Sequence, residues 1–104
     1  MADQHRQTDG ELKERTRHEA REPPLYRVIL HNDHYTTMEF VVQVLETVFL
    51  KSPAEAYRIM MQVHTTERGV CGAYPHDVAE TRVSKVHELA RQSGFPLRAS
   101  MEKE

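Results

Sequence analysis

The chain has 104 residues, with 14 Lys and Arg against 16 Asp and Glu, and Cys71 is its only cysteine. This length suits one domain with one core, and the formal net charge of -2 lacks the basic excess typical of nucleic-acid-binding proteins. A single cysteine cannot form an intramolecular disulfide, and no apolar run approaches the roughly 20 residues of a membrane span. We therefore expect a soluble, cytoplasmic protein that binds neither nucleic acid nor a membrane.

The first residues differ in composition from the rest. Residues 1 to 24 are dense in charges of both signs, have little apolar content beyond Leu12, and end in Pro23 and Pro24. Such a segment cannot offset its ordering entropy by burying apolar surface. The sequence thus predicts a flexible tail over residues 1–24 and a core domain over residues 25–104.

The first apolar element runs into a polar corner. Alternation over Leu25–Leu30 predicts a strand, and Asn32 and Asp33 are turn residues whose side chains can bond nearby backbone. Thr36, with Glu39 three residues later, has the pattern of a capping box at the start of a helix. The pattern indicates a strand-to-helix junction, and the alternative to a binding site is that these residues only turn the chain.

Two helices follow the corner almost without a loop. Apolar residues at helical spacing predict the first helix over about Thr37–Leu50. Ser52, Pro53 and Glu55 then provide a cap, a first-turn proline and the far end of a second capping box for the next helix. The apolar stripe of this second helix consists of Ala56, Ile59, Met60 and Val63.

The remainder of the chain predicts a strand, a helix and a strand. Gly69–Tyr74 is typical of a strand, residues 76–92 have helical periodicity that stops before Gly94, and residues 97–102 alternate as a third strand. The predicted fold class is α+β with the order β-α-α-β-α-β. Its economical arrangement is three helices on one face of a small three-stranded antiparallel sheet.

Evidence for an enzyme or a metal site is weak. The chain contains no glycine-rich phosphate loop and no nucleophile elbow, and Cys71 lies in a setting that suits a small buried side chain. The only plausible metal ligands are His31, Asp33, His34 and His64, which lack the spacing of zinc sites. We predict no cofactor and no metal.

A pocket is the alternative to a plain hydrophobic core for several apolar residues. Methionine commonly fills core gaps, which is the default interpretation of Met38 and Met60. The same residues, with Val41, Val63 and His64, could instead line an apolar hole whose mouth carries Asn32 and Asp33.

Several blocks of the sequence resemble the ClpS family of adaptor proteins. These blocks occur in the family's order and are Asn32-Asp33, Tyr35-Thr36, Met38-Glu39-Phe40-Val41, Val63-His64, Cys71-Gly72, Val78-Ala79-Glu80-Thr81 and Pro96-Leu97. The resemblance implies a non-enzymatic, monomeric adaptor that binds substrate proteins beginning with Leu, Phe, Tyr or Trp. It also implies delivery of these N-degron substrates to the ClpA unfoldase of the ClpAP protease.

The resemblance also implies roles for individual residues. The group around the α-amine of the substrate would be Asn32, Asp33, His34 and His64. The pocket for its first side chain would be Thr36, Met38, Val41, Met60, Val63 and Leu97. The unfoldase contact would be Asp77, Glu80 and Arg82 on the third helix.

The sequence departs from the family pattern at a few positions. His34 stands where the family commonly has a second aspartate, and Thr37 where it has proline. Asp77 and Arg82 stand where glutamate and lysine are common. The competing hypothesis is an interaction domain of similar fold that does not read N-termini, and the pairing of Asn32 with His64 distinguishes the two.

Overall fold

The computed structural model describes residues 23–104, and the prediction of a flexible tail falls almost wholly outside these residues. The element order is the predicted one. The strands are β1 (Leu25–His31), β2 (Arg68–Pro75) and β3 (Arg98–Lys103), and the helices are α1 (Met38–Thr47), α2 (Pro53–Thr66) and α3 (His76–Ser93). Within residues 23–104, none of the helices combines the length and apolar character that crossing a membrane requires.

β1 is the central strand of a three-stranded antiparallel sheet with the order β2-β1-β3. Leu30 pairs with Gly69 on one side and with Ala99 on the other. The register of β1 with β2 shifts between Val28 and Ile29, which leaves Cys71 as the extra residue of a β-bulge. The corner that follows β1 is therefore attached to the middle of the sheet rather than to an edge.

The three helices pack on the sheet face that carries Val28 and Leu30, and both side chains are fully buried. Apolar residues of all three helices complete this core, which confirms the predicted fold class. The buried helical members are Phe40, Val41, Val44, Leu45, Ala56, Ile59, Met60, Val63, Ala79, Val86 and Ala90.

The start of α1 corrects the predicted capping box. Thr37, not Thr36, is the N-cap, and its side chain accepts a hydrogen bond of 3.1 Å from the Phe40 N–H. Thr36 is occupied elsewhere, because its N–H and its hydroxyl both donate to the carboxylate of Asp33. Because an ionised carboxylate is a strong hydrogen-bond acceptor, Thr36 is part of the turn that Asp33 organises, and the helix starts one residue later.

The end of α1 is also earlier than predicted. The helix stops at Thr47, and Leu50 adopts a left-handed conformation with φ 55°. Val48 and Phe49 continue the apolar pattern but are buried in a turn, which is why periodicity alone extended the helix too far. Sequence periodicity reports burial, and here burial continues beyond the helix.

The second capping box is half formed. Ser52 caps α2 by accepting a hydrogen bond of 3.2 Å from the Glu55 N–H. The Glu55 carboxylate does not return to the Ser52 backbone and pairs instead with Arg58, one turn along the helix. An ionic partner on the same helix face therefore replaced the predicted reciprocal bond.

α3 ends as predicted and is tied to β3. Gly94 takes the left-handed conformation, φ 76°, that lets its N–H reach the last carbonyls of the helix. The imidazole of His87 accepts a hydrogen bond of 3.0 Å from the backbone N–H of Ala99. This bond fixes the helix against the first residues of the edge strand.

Candidate functional site: a cavity between the β1–α1 corner and α2

A cavity of about 260 Å³ lies where the β1–α1 corner meets the C-terminal half of α2. This volume is at or below the lower end of the range typical of small-molecule sites, about 300–1,000 Å³. It therefore suits one large side chain rather than an extended ligand. Its lining residues are Asn32, Asp33, His34, Thr36, Met38, Val41, Met60, Val63 and His64.

Asp33 organises the corner. Its Oδ1 accepts hydrogen bonds from the backbone N–H groups of Tyr35, at 2.8 Å, and Thr36, at 2.7 Å. Its Oδ2 accepts from the Thr36 hydroxyl at 2.7 Å. Burial alone would raise the pKa of Asp33, but these hydrogen bonds and the nearby His34 outweigh it, so the pKa is lowered. The cavity mouth therefore holds a carboxylate that stays ionised at neutral pH.

Asn32 is anchored to the end of α2. Its backbone N–H donates to the carbonyl of Glu67 at 2.9 Å, and its Nδ2 lies 3.5 Å from Glu67 Oε1. With the side-chain N–H group directed at Glu67, the Asn32 carbonyl oxygen is the acceptor left for a ligand. The corner and the C-terminus of α2 are thus held together at the mouth of the cavity.

The two histidines of the cavity reach it from different elements. His64 lies in the last turn of α2, where the helix dipole favours positive charge, and its side chain is exposed. His34 is an exposed residue of the corner, next to Asp33. A cationic group at the mouth would meet a carboxylate, an amide oxygen and an imidazole nitrogen.

The interior of the cavity is apolar. Met38 and Val41 from α1 face Met60 and Val63 from α2, and the last three are buried. Val41, Met60 and Val63 fit both earlier interpretations, because they belong to the core and also line the cavity, whereas Met38 lines the cavity from an exposed position. Leu97 is not among the lining residues; it is buried in the core immediately before β3.

Three of the four candidate metal ligands, Asp33, His34 and His64, line the cavity, and His31 lies apart from them. His31 belongs to β1, and its Nε2 is 2.6 Å from the Ser100 hydroxyl oxygen of the neighbouring strand. Burial, followed by the nearby Arg98 and Arg68, lowers the pKa of His31. Among residues 23–104, no three His, Cys, Asp or Glu side chains are placed to hold a metal ion.

Cys71 is buried in the core, in agreement with the interpretation of its sequence setting. Burial raises its pKa to about 12. The thiol is therefore protonated at neutral pH, and a thiolate nucleophile is not available there.

The three residues implied to contact the unfoldase lie on α3. Asp77 and Glu80 are exposed, while Arg82 is half-buried. Arg82 donates to the carbonyl of Val48 at the end of α1, and its guanidinium stacks over Tyr74 with 5.0 Å to the ring centroid. A cavity of about 440 Å³ next to this contact is lined by Thr47, Val48, Asp77, Val78, Thr81, Arg82 and Lys85.

Two residues near the site were not predicted from the sequence. Glu67 has φ 77° as the C-cap of α2, a position that glycine or asparagine would have announced. Tyr57, which is 58% exposed, lies in a depression that shares Met38 and Met60 with the cavity. Neither residue carried a sequence signal, because an exposed glutamate or tyrosine on a helix is ordinary.

Comparison with known proteins assigns the family. The model of the family "ATP-dependent Clp protease adaptor protein ClpS" matches residues 21–100. A relative from Desulforapulum autotrophicum with the name ATP-dependent Clp protease adapter protein ClpS is 61% identical over 82 residues, which are 79% of either chain. A relative of the same name from Syntrophus aciditrophicus is 54% identical over 94 residues, 90% of this chain and 88% of the other.

The fold agrees with this assignment. A solved structure of Agrobacterium tumefaciens ClpS2 bound to L-phenylalaninamide superposes with a TM-score of 0.77 at 40% sequence identity, covering 80% of this chain and all of that one. The chain is thus similar to Clp protease adaptors along nearly all of the described residues. It belongs to the ClpS family of ATP-dependent Clp protease adaptors.

Proposed function

We propose that this protein is a cytoplasmic, monomeric adaptor for N-degron substrates, which binds proteins that begin with Leu, Phe, Tyr or Trp. It delivers them to the ClpA unfoldase of the ClpAP protease and needs no cofactor. The observation that carries the proposal is the cavity itself, with a polar mouth at Asn32, Asp33 and His64 and an apolar interior. Residues 25–104 are the binding domain, and residues 1–24 are a tail that engages the unfoldase during delivery.

The mouth suits a free α-ammonium group. Such a group carries a positive charge and three N–H donors, and its partial burial is costly without acceptors. The Asn32 oxygen and a neutral His64 nitrogen supply acceptors, and the ionised Asp33 supplies the opposite charge. A peptide carbonyl inside a chain offers neither the charge nor these donors, so the site favours chain ends.

The apolar interior suits one large unbranched or aromatic side chain. Met38, Val41, Met60 and Val63 offer no hydrogen-bonding side chain other than weak sulfur acceptors. A volume of about 260 Å³ admits a leucine or an aromatic side chain. The phenylalaninamide in the ClpS2 structure has both a free α-amine and an aromatic side chain, which supports the same ligand chemistry here.

Delivery uses the exposed surface of α3 around Asp77 and Glu80. Arg82 also belongs to this surface. It has a structural role as well, because it donates a hydrogen bond to Val48 and stacks on Tyr74. Arginine suits this position better than lysine, because a planar guanidinium can donate to a carbonyl and stack at once. The departure from lysine therefore keeps the charge and adds an attachment to α1.

A titration of matched peptides tests the proposal. A Phe-starting peptide should bind the full chain, and acetylation of its N-terminus should abolish binding by removing charge and donors. Asn32→Leu should weaken binding about 10- to 100-fold, as expected for a hydrogen bond to a charged group. The exposed amide Gln43, outside the cavity, provides the control variant Gln43→Leu.

The competing function, an interaction domain that does not read N-termini, gives the opposite result. Equal affinity for the free and acetylated peptides would exclude the proposed function. Delivery needs its own assay, because a domain can bind a peptide without handing it over. Degradation of a Phe-starting substrate by ClpAP should depend on the adaptor and on its residues 1–22.

A further inference from the structure

A second depression adjoins the cavity on its α1–α2 side. It has a volume of about 390 Å³ and is lined by Met38, Glu39, Val42, Tyr57 and Met60, which we call the flanking groove. Met38 and Met60 line both the cavity and the groove. The two spaces are therefore neighbours, separated by a pair of flexible methionine side chains.

The flanking groove exposes unusually apolar surface. Tyr57 is 58% exposed and Met38 is 42% exposed, and both lie beside the buried Met60. A single exposed apolar residue on a soluble protein is ordinary. Here two large exposed apolar residues frame a concave surface that is continuous with the cavity. Such a surface is typical of one that the ligand in the cavity also covers.

The residues of α2 order the site along one line. Tyr57, Met60 and His64 are spaced by three and four residues, so they share one face of the helix. At a rise of 1.5 Å per residue, Tyr57 lies about 4.5 Å from Met60 along the axis, and His64 about 6 Å on the other side. The amine-binding mouth, the side-chain cavity and the groove therefore follow one another in that order.

An extended peptide matches this arrangement. Successive side chains of an extended chain point to opposite sides, so the first and third share a side and are about 6.6–6.8 Å apart. With its amine at His64 and its first side chain against Met60, a peptide running toward Tyr57 places its third side chain over the groove. We propose that the flanking groove binds the third residue of the substrate and favours a large apolar side chain there.

This inference rests on the proposed function and extends its specificity beyond the first residue. Among residues 23–104, Glu39 is the only charged residue that lines the groove. Its carboxylate repels an acidic side chain at the third position, so aspartate or glutamate there should be disfavoured. The preferred substrates are thus proteins with a large apolar first residue and a large apolar third residue. Substrates with an acidic third residue should bind least well.

Peptides that differ only at one position test the inference. With the sequence Phe-Ser-Xaa followed by a constant segment, we expect Leu at Xaa to bind about 3- to 10-fold more tightly than Ser, because the open groove buries only part of the side chain. Asp at Xaa should bind more weakly than Ser. Moving Leu to the second position, with Ser at the third, should give no gain.

Variants of the exposed Tyr57 connect the preference to the groove. Tyr57→Gln should reduce the ratio between the Leu and Ser peptides to about 1, whereas Tyr57→Phe, which keeps the ring, should preserve the ratio. Leu50→Gln removes an even more exposed apolar residue beyond the far end of α1 and serves as the control. Thermal unfolding of each variant confirms that the fold is intact.

Equal affinities for the Leu and Ser peptides would overturn the inference. So would a preference that persists in Tyr57→Gln, or one that operates at the second position instead of the third. A separate result would exclude the proposed function itself: equal affinity for the Phe-Ser-Leu peptide with a free and with an acetylated N-terminus.

Discussion

Asn32 and Glu67 hold the β1–α1 corner against the end of α2 at the mouth of the cavity. The Asn32 N–H donates to the Glu67 carbonyl at 2.9 Å, and Asn32 Nδ2 lies 3.5 Å from Glu67 Oε1. Glu67 does this from a left-handed conformation, φ 77°, which costs a residue with a Cβ about 1–2 kcal/mol. The strain is tolerated at a point where the side chain orients an amide of the candidate site.

Replacing Glu67 should therefore move stability and binding in opposite directions. Glu67→Gly removes the strain and should raise the free energy of unfolding by up to about 1 kcal/mol, measured by urea denaturation. The same variant frees the Asn32 amide and should weaken binding of a Phe-starting peptide about 2- to 5-fold.

Glu67→Gln is the matched control, because it keeps the strain and an acceptor oxygen while removing the charge. It should bind peptide almost as tightly as the parent if the role of Glu67 is to orient Asn32. A glycine variant that binds as tightly as the parent would show that Asn32 needs no such partner.

The carboxylate of Asp33 should make the corner sensitive to acid. Because its pKa in the folded protein is lower than the ordinary value of 3.8, the folded state favours the ionised form. The resulting stabilisation is fully present above about pH 4 and is lost as the pH falls through the lowered folded-state pKa. Asp33→Asn should thus be less stable than the parent at pH 7, by about 1 kcal/mol, and should lose less stability on acidification.

Urea denaturation at pH 7 and below pH 3.8 measures both effects. Thr36→Val removes only the hydroxyl that donates to Asp33 Oδ2 and should give part of the loss at pH 7. An Asp33→Asn variant whose stability follows the parent at every pH would mean that another acid dominates the response.

Most of the fold could be predicted from the sequence because strand and helix periods report burial directly. The predictions that were wrong concern the ends of helices, where competing hydrogen-bond and ionic partners determine the local structure. Thr36 donates to Asp33 instead of capping the helix. Glu55 pairs with Arg58 instead of completing its capping box. α1 ends before the turn at Leu50, although the buried residues continue beyond it. None of these differences can be predicted from residue spacing alone, because each depends on which hydrogen-bond acceptor or ionic partner is nearest in space.

The cavity was more predictable than its surroundings. Residue types at the corner and on α2 indicated a polar mouth and an apolar interior, and nine of the ten residues expected there line the cavity. His34, Thr36 and Leu97 were assigned to the site only by resemblance, and Leu97, the tenth residue, lies in the core instead. Glu67 and Tyr57 could not be predicted, because a left-handed cap and an exposed groove arise from chain geometry.

Leu50 offers a second test of backbone strain, away from the cavity. It has φ 55° and is 75% exposed, so its side chain contributes little burial to offset the strain. Leu50→Gly should stabilise the protein by about 1 kcal/mol relative to Leu50→Ala, which loses the same side chain but keeps the strain. Equal unfolding free energies for the two variants would show that the turn relaxes to another conformation.

Met38 should restrict which first residues enter the cavity. It is the most exposed of the apolar lining residues, at 42%, and lies at the first turn of α1. Met38→Ala should admit Ile- and Val-starting peptides that the parent rejects, with a gain of about 1–3 kcal/mol. Met61→Ala, a methionine outside the cavity, is the control. An unchanged set of accepted peptides would place the restriction elsewhere.

His34 is exposed at the mouth of the cavity, next to Asp33. An aspartate there would add a second negative charge near the ammonium of the ligand, and exposed ion pairs contribute about 0.2–1 kcal/mol. His34→Asp should therefore bind a Phe-starting peptide up to about 5-fold more tightly than His34→Asn, which has nearly the same shape without the charge. Because the added attraction acts through solvent, the ratio between the two variants should approach 1 in about 1 M salt. A ratio that is already 1 at low salt would mean that residue 34 does not face the ligand, and that the histidine at this position has no bearing on how tightly the N-terminus is held.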